Sequence, residues 1–227
     1  MSAATVVFDL DGTLVDTAPD LVATLNAVLA RAGLEPVPYQ AGRSMVGGGT
    51  RRMIELALLR AKVAAATIDV ERMFDAFIAH YGAHIADQSQ PFPGLTDALD
   101  TLAAHGYRLA VCTNKLEGLS RLLLDKLQLS ARFSAICGQD TFGMSKPDPE
   151  ILRRTIGQAG GRPDQALLVG DSGTDIATAR AAAVPIIAVD FGYNDVPVAR
   201  LVPDRVIGHF DALPEAIFGL LAARPNG

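Results

Sequence analysis

Two aspartates two residues apart close an apolar run near the start of the chain, in Val6-Val7-Phe8-Asp9-Leu10-Asp11-Gly12-Thr13. Burial makes each carboxylate costly, so the pair is either an acidic turn or a site where two acids converge on one point. In extended backbone residues i and i+2 project to the same side. Two close carboxylates repel unless a cation intervenes. Asp171 and Asp175 follow another apolar run, and together these acids form an oxygen-rich set that suits Mg²⁺, which takes a few carboxylates plus water and a phosphate. The Gly12-Thr13 turn can aim backbone N–H groups at an anion. Lys146 stands ahead of a helix start, Asp148-Pro149-Glu150. A lysine there is ordinarily solvated, but beside a phosphate-shaped site it becomes a charge clamp. Thr113-Asn114-Lys115 end a third apolar run and add a hydroxyl.

The elements that must position these groups are short and regular. Thr5–Phe8, Arg108–Cys112, Ala135–Cys137, Ala166–Val169 and Ile186–Val189 are β-rich and mostly apolar on both faces, as strands between helix layers are. Helical patterns alternate with them at Thr96–His105, Leu116–Leu127, Pro149–Ala159, Thr174–Ala183 and Leu213–Ala223. Alternating β and α predicts an α/β fold, a doubly wound parallel, Rossmann-like sheet. In such sheets ligands bind beyond the carboxyl ends of the strands. Three strands deliver Asp9, Thr113 and Asp171 to that edge. One such ending would be an ordinary turn; three favour a site.

From about Asp16 to Gln88 the strand pattern stops. Thr17-Ala18-Pro19-Asp20 reads as a helix start, with Leu21, Leu25, Val28 and Leu29 at helical spacing and Gly33 as the stop. Further helical patterns lie at Gln40–Met45, Thr50–Ala66 and Asp69–Ala86, before a return through Gln90-Pro91-Phe92-Pro93-Gly94. The expected organisation is a core of residues 1–15 and 89–227, interrupted by an all-helical insert over 16–88.

Composition narrows the partners. A hydrophobic content of 49% excludes a disordered chain. A net charge of −5 with no gathering of Lys or Arg argues against nucleic acid. Cys112 and Cys137 sit in apolar runs without metal spacing and read as core thiols of a reducing compartment. Neither a leader-like segment nor a membrane-length apolar span is present, which predicts a soluble cytoplasmic protein.

Four motifs, in order, resemble the haloacid dehalogenase superfamily of phosphotransferases: D-L-D-G-T at Asp9–Thr13, the Thr113-Asn114 strand end, Lys146 in K-P-D-P, and G-D-S-x-x-D over Gly170–Asp175. Within it, "FDLDGTLVDTAPDL", "MVGGGTRRMIELAL", "GYRLAVCTNK", "KPDPEIL", "LLVGDS" and "FGYND" are similar to stretches of bacterial phosphoglycolate phosphatases. The resemblance implies Asp9 as the nucleophile that becomes an aspartyl phosphate and Asp11 as the general acid and base. It also implies Mg²⁺ held by Asp9, the Asp11 carbonyl and Asp171, with Asp175 behind them. Thr113, Asn114 and Lys146 would hold the phosphoryl oxygens, and the helical insert would be a cap. Asp11 speaks against dehalogenation, which has no leaving alkoxide to protonate. Ala183 departs from the glycine that relatives often place there, so Val184-Pro185 is expected to end that helix.

The implied activity is Mg²⁺-dependent hydrolysis of a small phosphomonoester, 2-phosphoglycolate first. Another sugar or small-acid phosphatase and a hexose-phosphate mutase are the nearest alternatives. A signalling receiver domain also phosphorylates an Asp on such a sheet, though on a middle strand and without the insert, and a non-catalytic scaffold is the remaining one. Gly47, Gly48, Gly49, Thr50 and Arg51, at a helix start inside the insert, are the candidate substrate loop; a flexible connection with exposed arginines is the plainer reading. Lys115 is either an assistant or a surface residue. His80 and His84, one turn apart, lack a third ligand and read as packing or surface.

Overall fold

In the computed structural model, which describes residues 4–63, 69–194 and 196–222, six strands form one parallel sheet in the order β5-β4-β1-β6-β7-β8. They are β1 (Thr5–Phe8), β4 (Arg108–Cys112), β5 (Ala135–Cys137), β6 (Ala166–Gly170), β7 (Ile186–Val189) and β8 (Arg205–Ile207). The central strand β1 pairs on both sides, with Phe8 opposite Val111 and Val169. Alternation divides the core. Val6, Phe8, Leu109, Val111 and Val169 pack on one face, and Val7, Ala110, Cys112 and Leu168 on the other. Each fully buried Val, Leu or Phe there stabilises by roughly 1.5–3 kcal/mol.

Helices α7 (Pro149–Gln158) and α8 (Gly173–Ala182) cover the Val7 face through Ile151, Ile156, Ile176 and Ala179. The Phe8 face meets α5 (Leu95–Ala104), α6 (Glu117–Lys126) and α9 (Leu213–Ala222) through Leu99, Leu123 and Ile217. That second core runs on into α1 (Ala18–Arg31), α2 (Tyr39–Arg43), α3 (Thr50–Arg60) and α4 (Val70–Ala83), through Leu25, Ile54, Phe77 and Tyr81. Helix α3 ends at Arg60, with Ala61 as its C-cap and Lys62 at φ 56°, short of the expected Ala66, which itself lies outside the described residues, as does Ala223 at the end of α9. Asp69 caps α4 by accepting from the Arg72 N–H, instead of opening the helix itself.

Three features differ from the sequence reading. A two-residue strand, β2 (Val15–Asp16), pairs antiparallel with β3 (Gln90–Pro91) where the chain leaves and re-enters the sheet. Such a pair is too short to carry a pattern. The edge strand β8 escapes the pattern because Arg205 and Val206 are exposed, and only Ile207 is buried. Helix α8 ends not at Val184-Pro185 but at Ala183 itself, which takes the left-handed conformation at φ 59°. A side chain there costs roughly 1–2 kcal/mol against glycine. Both cysteines are free and buried. Among the described residues no helix is long and apolar enough to cross a membrane.

Candidate active site

The shared register of β1, β4 and β6 brings Asp9, Thr113 and Asp171 out of the sheet at one edge. Asp9 Oδ1 accepts from the Leu10 N–H at 2.7 Å and from Lys146 Nζ at 2.8 Å. Lys146 also reaches Asp175 Oδ1 at 2.6 Å. The other Asp175 oxygen takes the Ser172 N–H at 3.0 Å and its hydroxyl at 2.5 Å. Those bonds belong to the capping box of α8, so one carboxylate both starts a helix and aims a lysine. Asn114 braces the same lysine from behind. Its Oδ1 accepts the Lys146 N–H at 2.8 Å, and its Nδ2 donates to the Lys146 carbonyl at 3.2 Å.

Asp171 is held by the Thr13 hydroxyl at 3.2 Å and the Tyr193 N–H at 2.7 Å. Gly12 lies under this pair with φ +83°, and a Cβ there would fall 2.5 Å from Asp171 Oδ2 and 2.8 Å from the Tyr193 ring. Conformation and space both demand glycine. Asp11 accepts from the Thr17 hydroxyl at 2.7 Å and from Lys115 Nζ at 3.0 Å. Thr17 precedes α1 yet does not cap it with its side chain. The Tyr193 phenolic oxygen does so instead, accepting the Thr17 and Ala18 N–H groups at 2.6 and 2.9 Å while donating to Asp16 at 2.7 Å. Asp20, in the helix start read from the sequence, binds the Gln88 and Ser89 N–H groups and the Ser89 hydroxyl, tying the two ends of the insert together.

Charge does not balance at this edge. Asp9, Asp11, Asp171 and Asp175 are buried, as is Lys146, and the Lys115 side chain is 6% exposed. With all four carboxylates ionised, the two ammonium groups would leave an excess of two negative charges. Burial pushes Asp9 up to about 7, opposed by Lys146 and reinforced by Asp175. Burial likewise pushes Asp171 up to about 8, with Asp175 and Asp9 adding to it. Burial would lower Lys146, but Asp175 and Asp9 more than reverse it and hold the amine above the ordinary lysine range. Carboxylate oxygens of Asp9, Asp171 and Asp175 all lie within 4.8 Å of one another. This oxygen donor set, with two charges to neutralise, fits a hard divalent cation. Asp175 is engaged by Lys146 and Ser172, Asp171 by Thr13 and Tyr193, and Asp9 by Leu10 and Lys146.

A cavity of about 30 Å³ opens above the acids, lined by Asp9, Asp11, Thr113, Asn114 and Lys115 from the sheet edge. Leu21, Val46, Gly47, Gly49, Thr50 and Met53 close it from the helical side. Gly48, Arg51 and Arg52 face a wider outer cleft of about 600 Å³, which Gly49 and Thr50 also touch. Arg51 pairs with Glu71 and lies 4.9 Å over the Phe74 ring. Of the candidate loop, then, Gly47, Gly49 and Thr50 meet the acids, while Gly48 and Arg51 do not. His80 bonds the Thr24 hydroxyl and His84 bonds Asp87. The roles of Thr13, Thr17 and Tyr193 were not legible in the sequence; Tyr193 stood out only within the "FGYND" likeness, whose final Asp195 lies outside the described residues.

Residues 6–189 match the family model described as haloacid dehalogenase-like hydrolase. A phosphoglycolate phosphatase of Agrobacterium fabrum is 47% identical over 218 residues, covering 96% of this chain and 94% of that one. Another, of Mesorhizobium japonicum, is 48% identical over 213 residues, covering 94% of each. A crystal structure titled as a predicted phosphoglycolate phosphatase from Haemophilus somnus superimposes with a TM-score of 0.87 at 29% identity, covering 94% of this chain and 97% of that one. These likenesses set aside the receiver-domain alternative.

Proposed function

The chain belongs to the haloacid dehalogenase-like hydrolases and is a phosphoric monoester hydrolase, and from that premise we propose that it hydrolyses 2-phosphoglycolate to glycolate and phosphate with Mg²⁺ and through an aspartyl phosphate on Asp9. The observation that carries the reading is the meeting of Asp9 and Asp11 in one small cavity, beside the buried carboxylates of Asp171 and Asp175. The names of the relatives support the choice of substrate.

Asp9 Oδ1 is held by Leu10 and Lys146, so Oδ2 attacks phosphorus, forming one P–O bond as the ester P–O bond breaks. Asp11 gives its proton to the departing glycolate oxygen. It then takes a proton from the water that attacks the phosphoenzyme, which frees Asp9. The Thr113 hydroxyl and Lys146 hold the transferring oxygens, since phosphoryl transfer depends mostly on positioning and charge stabilisation. Asp9, Asp171 and the Asp11 carbonyl would hold Mg²⁺, which would supply charge neutralisation at the phosphoryl oxygens. Residues 16–88 act as a cap on a core of 1–15 and 89–227, with β2, β3 and the Asp20–Ser89 bonds at the junction. Buried free thiols support work in a reducing cytoplasm.

The test is phosphate release from a panel comprising 2-phosphoglycolate, glucose 1-phosphate and an aryl phosphate, with Mg²⁺ or with excess chelator. The expected result is the highest kcat/KM on 2-phosphoglycolate and silence in chelator, reversed by Mg²⁺. Release that persists in chelator would remove the metal from the reading. A higher efficiency on the sugar phosphate would remove glycolate.

A further inference from the structure

Lys115 is the one ionisable group lining the inner cavity that the mechanism above leaves without a task. Its side chain is only 6% exposed, and its Nζ sits 3.0 Å from Asp11 Oδ1. The same nitrogen lies 3.3 Å from the hydroxyl of Tyr81, a buried residue of α4. It therefore spans the seam between sheet edge and helical insert. Its backbone is fixed on both sides, the N–H donating to the Thr113 hydroxyl and the carbonyl accepting from Gln139. Burying an ammonium this deeply is costly unless it has work there.

Position relative to Asp11 defines that work. To protonate the leaving group, Asp11 must come within hydrogen-bond reach of the ester oxygen. In a phosphate ester of a 2-hydroxy acid the carboxyl carbon is only two bonds from that oxygen. A cation in contact with Asp11 is thus in contact with the carboxylate of such a substrate. A neutral alcohol has nothing to offer it, and a carboxylate farther along a chain lies beyond it. The other cations near the loop are engaged elsewhere. Lys146 is shared between Asp9 and Asp175, and Arg51 is paired with Glu71 on the outer cleft.

We infer that Lys115 is the specificity residue of this site: its ammonium group, backed by the Tyr81 hydroxyl, binds a carboxylate carried on the carbon next to the phosphate ester oxygen. The inference rests on the phosphatase reading and goes beyond it, because it names the group that tells a phospho-2-hydroxy acid from any other small phosphomonoester. On binding, the substrate carboxylate takes over part of the Lys115 contact now made by Asp11. The desolvated ion pair so formed belongs to the stronger class of charge-assisted hydrogen bonds.

The experiment compares 2-phosphoglycolate with ethyl phosphate, which has a methyl group where the acid has its carboxylate, in wild type, Lys115→Met and Lys115→Arg. Wild type is expected to prefer 2-phosphoglycolate in kcat/KM. Lys115→Met breaks the Asp11 contact for both substrates, so the readout is the ratio between them, expected to fall roughly 10- to 100-fold through KM. Lys115→Arg, which keeps the charge, is expected to retain more of that ratio than Lys115→Met. A wild type that hydrolyses both esters with equal efficiency overturns the inference without any variant. So does a Lys115→Met enzyme that loses both substrates in equal proportion. A wild type that releases phosphate from neither overturns the 2-phosphoglycolate reading, and this inference with it.

Discussion

On the sheet side of the inner cavity Asp9, Asp11, Asp171 and Asp175 each accept at least two hydrogen bonds or ion pairs, and all four are buried. On the helical side Val46, Gly47, Gly49 and Thr50 meet the same space, and the two glycines stand at φ +103° and +84° and bring no side chain. The first wall is over-determined: a carboxylate there cannot move without stranding a partner in a dry environment, where an unpaired polar group is costly. The second wall has few side-chain anchors and can adjust. Phosphoryl chemistry is the same whatever the leaving group, so it profits from the rigid wall. Recognition of the leaving group varies from substrate to substrate and falls to the adjustable one, with Lys115 at the seam.

The rigid wall should fail completely or not at all. Asp9→Asn is expected to bring turnover below detection, since an amide cannot carry the phosphoryl group. The fold should survive, with a melting temperature within a few degrees of wild type, because the remaining contacts hold the strand end. Phosphate-release assays and a thermal melt check the two halves separately. Residual turnover of even a tenth would remove Asp9 as nucleophile.

A second substitution probes how the rigid wall is joined to the helical one. The Tyr193 backbone holds Asp171 while its hydroxyl caps α1. Tyr193→Phe keeps the first bond and deletes the second set, leaving the Thr17 and Ala18 N–H groups buried without their acceptor. Two such groups cost roughly 2–4 kcal/mol, which at this chain length means a melting temperature lower by roughly 5–10 °C. Activity at 25 °C should fall less than about tenfold, because the bond to Asp171 survives. A variant of full stability but no activity would mean that the hydroxyl serves the chemistry directly, and would break the division between the walls.

How much of this was legible beforehand follows the range of the interactions. The four inner strands and the buried edge strand β5 were readable to within a residue because being buried on both faces leaves a continuous apolar run. Edge strand β8 and the two-residue β2 and β3 leave no such trace. The acids of the site were readable because each ends its own strand, and topology alone brings strand ends together. What positions them was not. Tyr193 lies 176 residues from Thr17, and no local pattern announces a phenol that caps a distant helix. Asn114 was expected at the phosphate and does line the inner cavity, but the brace its amide gives the Lys146 backbone has no local signature in the sequence. Within the glycine run, sequence could not say which residues would face the acids.

That last point gives the smallest and most selective prediction. Gly48 faces the outer cleft, where an added Cβ would press only on the flexible, exposed Arg52 side chain at 3.0 Å. Gly48→Leu should therefore change kcat/KM by no more than about twofold on either ester, the ordinary outcome of an exposed substitution. Gly49 is different. Its φ of +84° with ψ 162° lies where side chains are strained by roughly 1–3 kcal/mol, although a Cβ would sit at an unstrained 3.6 Å from the Asn114 carbonyl oxygen. The strain is thus conformational rather than a clash. Gly49→Ala should relieve it by shifting the start of α3, which moves Thr50 in the cavity wall. KM for 2-phosphoglycolate should rise several-fold with kcat nearly unchanged, since no side chain of the sheet wall is displaced. Should Gly49→Ala lower kcat as strongly as it raises KM, the two walls would be mechanically one. The contrast between an adjustable and a fixed wall would then have to be abandoned.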